Sequence, residues 1–140
     1  MILVDSNVFI DIFTQDTEWY SWSLNALSDA ASNERITINP IIYSEISIGF
    51  HSTSELDNAL SHIGVLNEQI SKDVAFAAGK AFVKYRRNGG KKSSPLPDFF
   101  IGAHANCSSY KLLSRDQHRF LNYFPNLEPV SYTHLRAHET

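Results

Sequence analysis

The chain has 140 residues, of which 43% are hydrophobic and 19% charged, with a formal net charge of −3 and a single cysteine, Cys107. That composition fits one soluble globular domain able to bury its own core, and it excludes an internal disulfide framework. Asp5 and Asp11 interrupt the N-terminal apolar run and no apolar stretch is long enough to span a bilayer. The expected setting is therefore the reducing cytoplasm, with no membrane partner.

Ile2–Val4 reads as a short buried strand, and Asp5-Ser6-Asn7 supplies turn chemistry after it. Thr17 to Ser32 has helical periodicity, with Trp19, Trp22, Ala26 and Ala30 on one side. Ile36-Thr37-Ile38 is a β-branched strand ended by Asn39-Pro40. Residues 41–50 and Ser54 to His62 are expected to be helices, and Gly64-Val65-Leu66 a strand or connector. Ser71 is an N-cap candidate for a helix running to Arg87, with Asn88-Gly89-Gly90 as its stop. Ser93-Ser94-Pro95-Leu96-Pro97 reads as a stiffened loop, and Asp98 as a cap-like residue opening a helix that ends near Ser109. Lys111–Ser114 is a further strand, followed by a short helix over Gln117–Tyr123. Strands alternating with helices predict an α/β sandwich with a mainly parallel central sheet, which binds ligands beyond the carboxyl ends of its strands.

Four acidic residues stand out within or beside apolar elements: Asp5, Glu45, Asp98 and Asp116. A carboxylate there is costly unless something neutralises it, and one shared divalent cation is the simplest neutraliser for all four. At roughly 100° per residue, Glu45 shares a helix face with Ile41, Ile42, Ile48 and Gly49. The structural alternatives are specific. Glu45 could reach solvent from the edge of its stripe, Asp98 and Asp116 could be helix or turn caps, and Asp5 could form an Asx turn. Asp5 and Asp116 each follow a strand, which predicts that they meet.

Charge is distributed unevenly. Arg35 and Lys72 are the only basic residues before Lys80, whereas Lys80, Lys84, Arg86, Arg87, Lys91 and Lys92 fall in one segment with no acid between Asp73 and Asp98. Such a strip can track a phosphate backbone or can simply be a solvated helix face. Other chemistry is poorly supported. His104 and Cys107 do not make a zinc site and are expected in or near the core. Ser6 and Ser114 have no identifiable histidine partner, and Gly89-Gly90-Lys91 lacks phosphate-loop spacing. Trp19, Tyr20, Trp22 and Phe13 are expected in the core or an interface.

Residues 130–140 resemble a translation of the mosaic-end adapter used in transposon-based sequencing libraries, and the preceding codon, that of Pro129, would share it. Residues 129–140 are therefore expected to be a non-native tail, in place of an outer strand that should follow Asn126-Leu127. The i, i+4 spacing of His134 and His138 is not read as a metal site for the same reason.

Residues 1–128 resemble a PIN-domain ribonuclease, specifically the VapC-type toxin of a type II toxin–antitoxin pair. The likeness rests on Leu3-Val4-Asp5-Ser6-Asn7-Val8-Phe9-Ile10-Asp11, Ser44-Glu45-Ile46-Ser47-Ile48-Gly49, Tyr85-Arg86-Arg87 with Pro97-Asp98-Phe99-Phe100-Ile101-Gly102-Ala103-His104-Ala105, and Leu112-Leu113-Ser114-Arg115-Asp116. The resemblance implies a three-layer α/β/α PIN-like fold and a metal-dependent endoribonuclease, often dimeric and neutralised by a cognate antitoxin. It places Asp5, Glu45, Asp98 and Asp116 in a Mg2+ or Mn2+ site, with Asn7 and Ser114 supporting them. Arg86, Arg87, Lys91 and Lys92 would hold the RNA backbone. The alternatives are a catalytically silent RNA- or antitoxin-binding module and a receiver-like phosphoacceptor domain. Against the receiver, Ser6 follows Asp5 where adjacent acids are expected; against an aspartyl phosphatase, position 7 is Asn.

Overall fold

Three short runs rich in Ile, Leu and Val have every residue pulled from water or nearly so, and they set the frame of the molecule. The computed structural model describes residues 1–90 and 96–130. In chain order the elements are β1 (Ile2–Val4), α1 (Ser6–Phe13), α2 (Tyr20–Asn33), β2 (Ile36–Ile38), α3 (Pro40–Ser47), α4 (Thr53–Ile63), β3 (Leu66–Asn67), α5 (Lys72–Arg87), α6 (Leu96–Ser108), β4 (Lys111–Leu113) and α7 (Gln117–Tyr123). The strands form one four-stranded sheet in the order β3-β2-β1-β4, all pairs parallel. With helices covering it, this is a three-layer α/β/α fold.

The strand order decides where a ligand can sit. From β1 the chain steps outward to β2 and β3, then returns past β1 to place β4 on its other side. Right-handed crossovers send helices to opposite faces for the two directions, so a crevice opens between β1 and β4 at their carboxyl ends. Val4 pairs with Leu113 there, and the Asp5 amide donates to the Leu113 carbonyl at 2.9 Å. The next residues on both strands are Asp5 and Ser114.

Most elements lie where the sequence puts them. β2 coincides with the predicted run, α7 spans the predicted residues, and Ser71 caps α5 by accepting the Val74 amide. Four expectations are corrected. α6 begins at Leu96, so Asp98 lies inside its first turn and does not open it. Asp5-Ser6-Asn7 is not a turn: α1 starts at Ser6 directly after β1, with Asp5 as its N-cap, because Val8 and Phe9 gain full burial in that conformation. α3 stops at Ser47, so Ile48 is 88% exposed and Ile46 takes its place in the core beside Ile42. Cys107 is exposed, although His104 is buried as expected.

At the outer edge of β4, Leu112 donates to the Glu128 carbonyl and Val130 donates back to the Leu112 carbonyl, each at 3.0 Å. These two bonds make a single parallel bridge between Leu112 and Pro129. Residues 131–140, including His134 and His138, lie outside the described residues.

A polar network is enclosed beneath α6. Asn39 caps α3 by accepting the Ile42 amide with Oδ1, which turns its Nδ2 toward His104 Nδ1 at 3.0 Å. Nδ1 is therefore the acceptor, and Nε2–H faces Glu68 Oε1 at 3.5 Å, while Tyr110 donates to Glu68 Oε2 at 2.9 Å. Burial pushes the imidazole below its ordinary 6.5, against the pull of the Glu68 carboxylate. The unfolded chain thus takes up this proton first as pH falls. Stability from neutral His104 should be fully present above 6.5 and be lost as pH falls toward the lowered value. As pH falls across that range, the wild type should lose more thermal stability, or gain less, than His104→Gln; equal slopes would show that another group governs acid sensitivity.

Candidate active site

Asp5 is buried at the end of β1, where its two oxygens have different duties. Oδ1 accepts the Ser6 amide at 2.8 Å and fixes the start of α1. Oδ2 accepts the Ser114 hydroxyl at 2.8 Å, which ties β1 to the loop after β4. Ser114 is almost fully enclosed and also accepts from Asn7 Nδ2 at 3.2 Å and from the Asp116 amide at 3.0 Å. Its hydroxyl is the hub that sets the spacing of Asp5, Asn7 and Asp116. Asn7 reaches Asp116 Oδ2 as well, at 3.4 Å.

Glu45 joins through Ser6, whose hydroxyl donates to Glu45 Oε1 at 3.0 Å and lies 3.5 Å from Asp5 Oδ1. Asp98 comes from the first turn of α6, where the helix dipole favours a negative charge. Its position is fixed by the next residue. Phe99 is fully buried and stacks on Tyr123 of α7 at 4.3 Å, while Phe82 and Tyr85 of α5 pack on it at 5.3 and 5.8 Å. An aromatic cluster joining three helices therefore holds Asp98 over the crevice.

All four predicted carboxylates converge, and the cation among them is one that sequence reasoning missed. Arg119 of α7 sets Nε 3.2 Å from Asp98 Oδ2, Nη1 3.6 Å from Asp116 Oδ2 and Nη2 3.7 Å from Asp5 Oδ2. Neither Arg119 Nε nor Asp98 Oδ2 makes a hydrogen bond, and both atoms are buried. Their proximity is Coulombic and out of line, unlike a forked arginine–carboxylate pair. Burial raises the proton affinity of Asp5 and of Glu45. Asp98 is raised to about 6, chiefly by burial; Arg119 pulls it down, while Asp5, Glu45 and Asp116 push it up.

A forked pair does exist behind the site, between Arg115 and Asp11. Arg115 donates from Nε to Asp11 Oδ2 at 2.9 Å and from Nη2 to Asp11 Oδ1 at 3.2 Å. Ser23 of α2 adds a 2.7 Å bond to Asp11 Oδ2, and the guanidinium lies 5.2 Å from the Trp19 ring centroid. Asp11 and Arg115 stood inside the recognised sequence motifs, but nothing in their spacing marked them as partners. For Arg119, its place one turn after Asp116 was the available signal.

Arg86 and Arg87 are exposed in the last turn of α5. Arg86 lies over the Phe82 ring at 5.6 Å. Lys91 and Lys92 lie outside the described residues.

The sequence profile of the PIN domain family matches residues 2–123. The chain belongs to the PIN domain family. A comparison with curated protein sequences yields no match. Among solved structures, this PIN domain is similar to a toxin–antitoxin complex from Klebsiella pneumoniae, with 24% identity, a TM-score of 0.68 and coverage of 94% of this chain and 97% of that one. It is also similar to VapBC2 from Rickettsia felis bound to a promoter DNA fragment, at 22% identity, TM-score 0.70 and coverage of 93% and 98%. VapBC-1 from nontypeable Haemophilus influenzae superposes with TM-score 0.70 at 17% identity, covering 95% and 99%. At these identities the likeness is one of fold.

An oxygen-only donor set suits a hard divalent ion. Asp98 Oδ2, which makes no hydrogen bond, and the Oδ2 edge of Asp5 fit such an ion. Among the described residues, however, no three Asp, Glu, His or Cys side chains are already gathered at metal-holding distance. Arg119 stands between them.

Proposed function

We propose that this PIN domain is a metal-dependent endoribonuclease, the toxin of a toxin–antitoxin pair, which cuts RNA phosphodiester bonds and is neutralised by a cognate antitoxin. One observation carries the reading: Asp5, Asp98 and Asp116 converge on a cation at the switch point of a PIN fold, with Glu45 joined to Asp5 through the Ser6 hydroxyl. The solved structures similar to it include toxin–antitoxin complexes, which supports an antitoxin as partner. A homodimer in the cytoplasm is the assembly this reading expects. No helix among the described residues is long and apolar enough to cross a membrane.

Mg2+ or Mn2+ is the proposed ion, with Asp5 and Asp98 as direct ligands and Glu45 and Asp116 completing the set. Such an ion supplies Lewis-acid stabilisation of charge on the attacked phosphate and lowers the pKa of a coordinated water. The protein supplies the geometry. Ser114 and Asn7 keep Asp5 and Asp116 aligned, Ser6 links Asp5 to Glu45, and Phe99 holds Asp98 at the rim. Arg86 and Arg87, with Lys91 and Lys92, would hold the RNA backbone through salt-sensitive contacts with little base selectivity.

The test is incubation of total bacterial RNA with the purified protein in Mg2+, Mn2+ or EDTA. Discrete fragments that form only with metal are expected. A folded protein that binds Mn2+ yet leaves both this pool and RNA from its host uncut would overturn the nuclease reading in favour of the silent binding module.

A further inference from the structure

Arg119 neutralises the carboxylates without being built into them. Its three ion pairs span 3.2 to 3.7 Å, its Nε makes no hydrogen bond, and its side chain is 39% exposed. Arg115, five residues after Tyr110 and four before Arg119, shows what a committed pair looks like in the same loop and helix: two bonds of 2.9 and 3.2 Å to a carboxylate that is 2% exposed. Arg119 also borders a hollow of about 510 Å³ that Ser114, Arg115, Asp116 and Trp22 help to line. Arg119 and Asp116 thus share the wall of one hollow, while the guanidinium lies over the Phe120 ring at 4.9 Å.

Resting on the nuclease reading, we propose that Arg119 is a displaceable internal cation. It holds Asp5, Asp98 and Asp116 together in the metal-free protein, competes with a divalent ion for them, and turns into the neighbouring hollow when that ion binds. The same guanidinium is then positioned beside the metal site, free to form a forked contact with a substrate phosphate. Two observations carry this: the buried Asp98 Oδ2 has a cation near it but no hydrogen bond, and Arg119 lies 3.2 to 3.7 Å from oxygens of three separate carboxylates. A guanidinium spreads its charge over three nitrogens and cannot draw three carboxylates as close as a small ion does.

Mn2+ binding by calorimetry, with thermal midpoints of the metal-free proteins, tests the idea without any measure of cleavage. Arg119→Gln should bind Mn2+ about tenfold more tightly than the wild type, because the competing charge is gone. Its metal-free form should melt earlier, and saturating Mn2+ should restore more of the midpoint than in the wild type. Arg119→Lys keeps the charge with shorter reach and fewer donors, so its affinity should fall between the two, which preserves the test if the Gln variant folds poorly. Equal or weaker Mn2+ binding in a folded Arg119→Gln would overturn the proposal and leave the nuclease reading standing. Failure of every variant and of the wild type to bind Mn2+ would overturn both.

Discussion

Asp98→Asn should lower metal-dependent RNA cleavage by on the order of a thousandfold or more, while the metal-free protein melts at the same temperature or higher. The two halves of this result come from one fact. Asp98 is held to about 6 rather than 3.8, mainly because burial disfavours its charge and secondarily because Asp5, Glu45 and Asp116 repel it against the pull of Arg119. The folded state therefore binds that proton more tightly than the unfolded chain, so stability falls as pH rises from 3.8 through about 6. Above that window the full penalty is present, at most about 3 kcal/mol and less where solvent screens the rim. An uncharged amide of the same shape removes the penalty and also removes the proposed metal ligand. Asp5→Asn should lose activity just as deeply but should not gain stability. Its two oxygens accept from the Ser6 amide and the Ser114 hydroxyl, and an amide keeps only one acceptor. Unfolding curves of both variants beside a cleavage assay check this. Loss of activity that only accompanies unfolding would make Asp98 a helix residue and nothing more.

That contrast also marks what the sequence could carry. A carboxylate within or beside an apolar run stands out from its neighbours, so Asp5, Glu45, Asp98 and Asp116 could be picked out, although only Asp5 and Asp98 of the four are buried and the equally buried Asp11 was missed. The frame was visible for a similar reason: three-residue β-branched or leucine runs and Ser71 as a cap depend on local chemistry, and β2, β4 and α5 lie where expected. The start of α1 was not visible, because Asp-Ser-Asn favours turns locally and becomes helical only when Val8 and Phe9 reach the core. Ile48 failed oppositely, since a helical period continues on paper past the residue where α3 ends. Arg119 was passed over, because its place one turn after Asp116 is the only local mark it carries. Its meaning appears only when β1, α6 and α7 bring three carboxylates to it.

The second large effect concerns the pair behind the site, and it is one of stability. Arg115→Met should destabilise the protein by about 3 kcal/mol, because it strips the cation from a buried carboxylate while keeping most of the side-chain volume. Asp11 is 2% exposed, and without Arg115 its carboxylate would retain only the Ser23 hydroxyl bond. The pair links α1, α2 and the segment after β4, so the cost extends beyond one contact. Arg115 directly precedes Asp116, and its two bonds to α1 fix the backbone from which Asp116 approaches Asn7 and Ser114. Slack there should lower cleavage even at temperatures where the variant is fully folded. Adding Asp11→Asn to Arg115→Met removes the stranded charge and should recover more than half of the lost stability. It should not recover cleavage, because the tether between α1 and the Asp116 loop is still missing. Denaturant unfolding of the two single variants and the double variant gives the coupling energy directly. Additive losses would show that Asp11 and Arg115 act separately, whereas strong coupling with unrecovered cleavage would identify the pair as the device that positions Asp116.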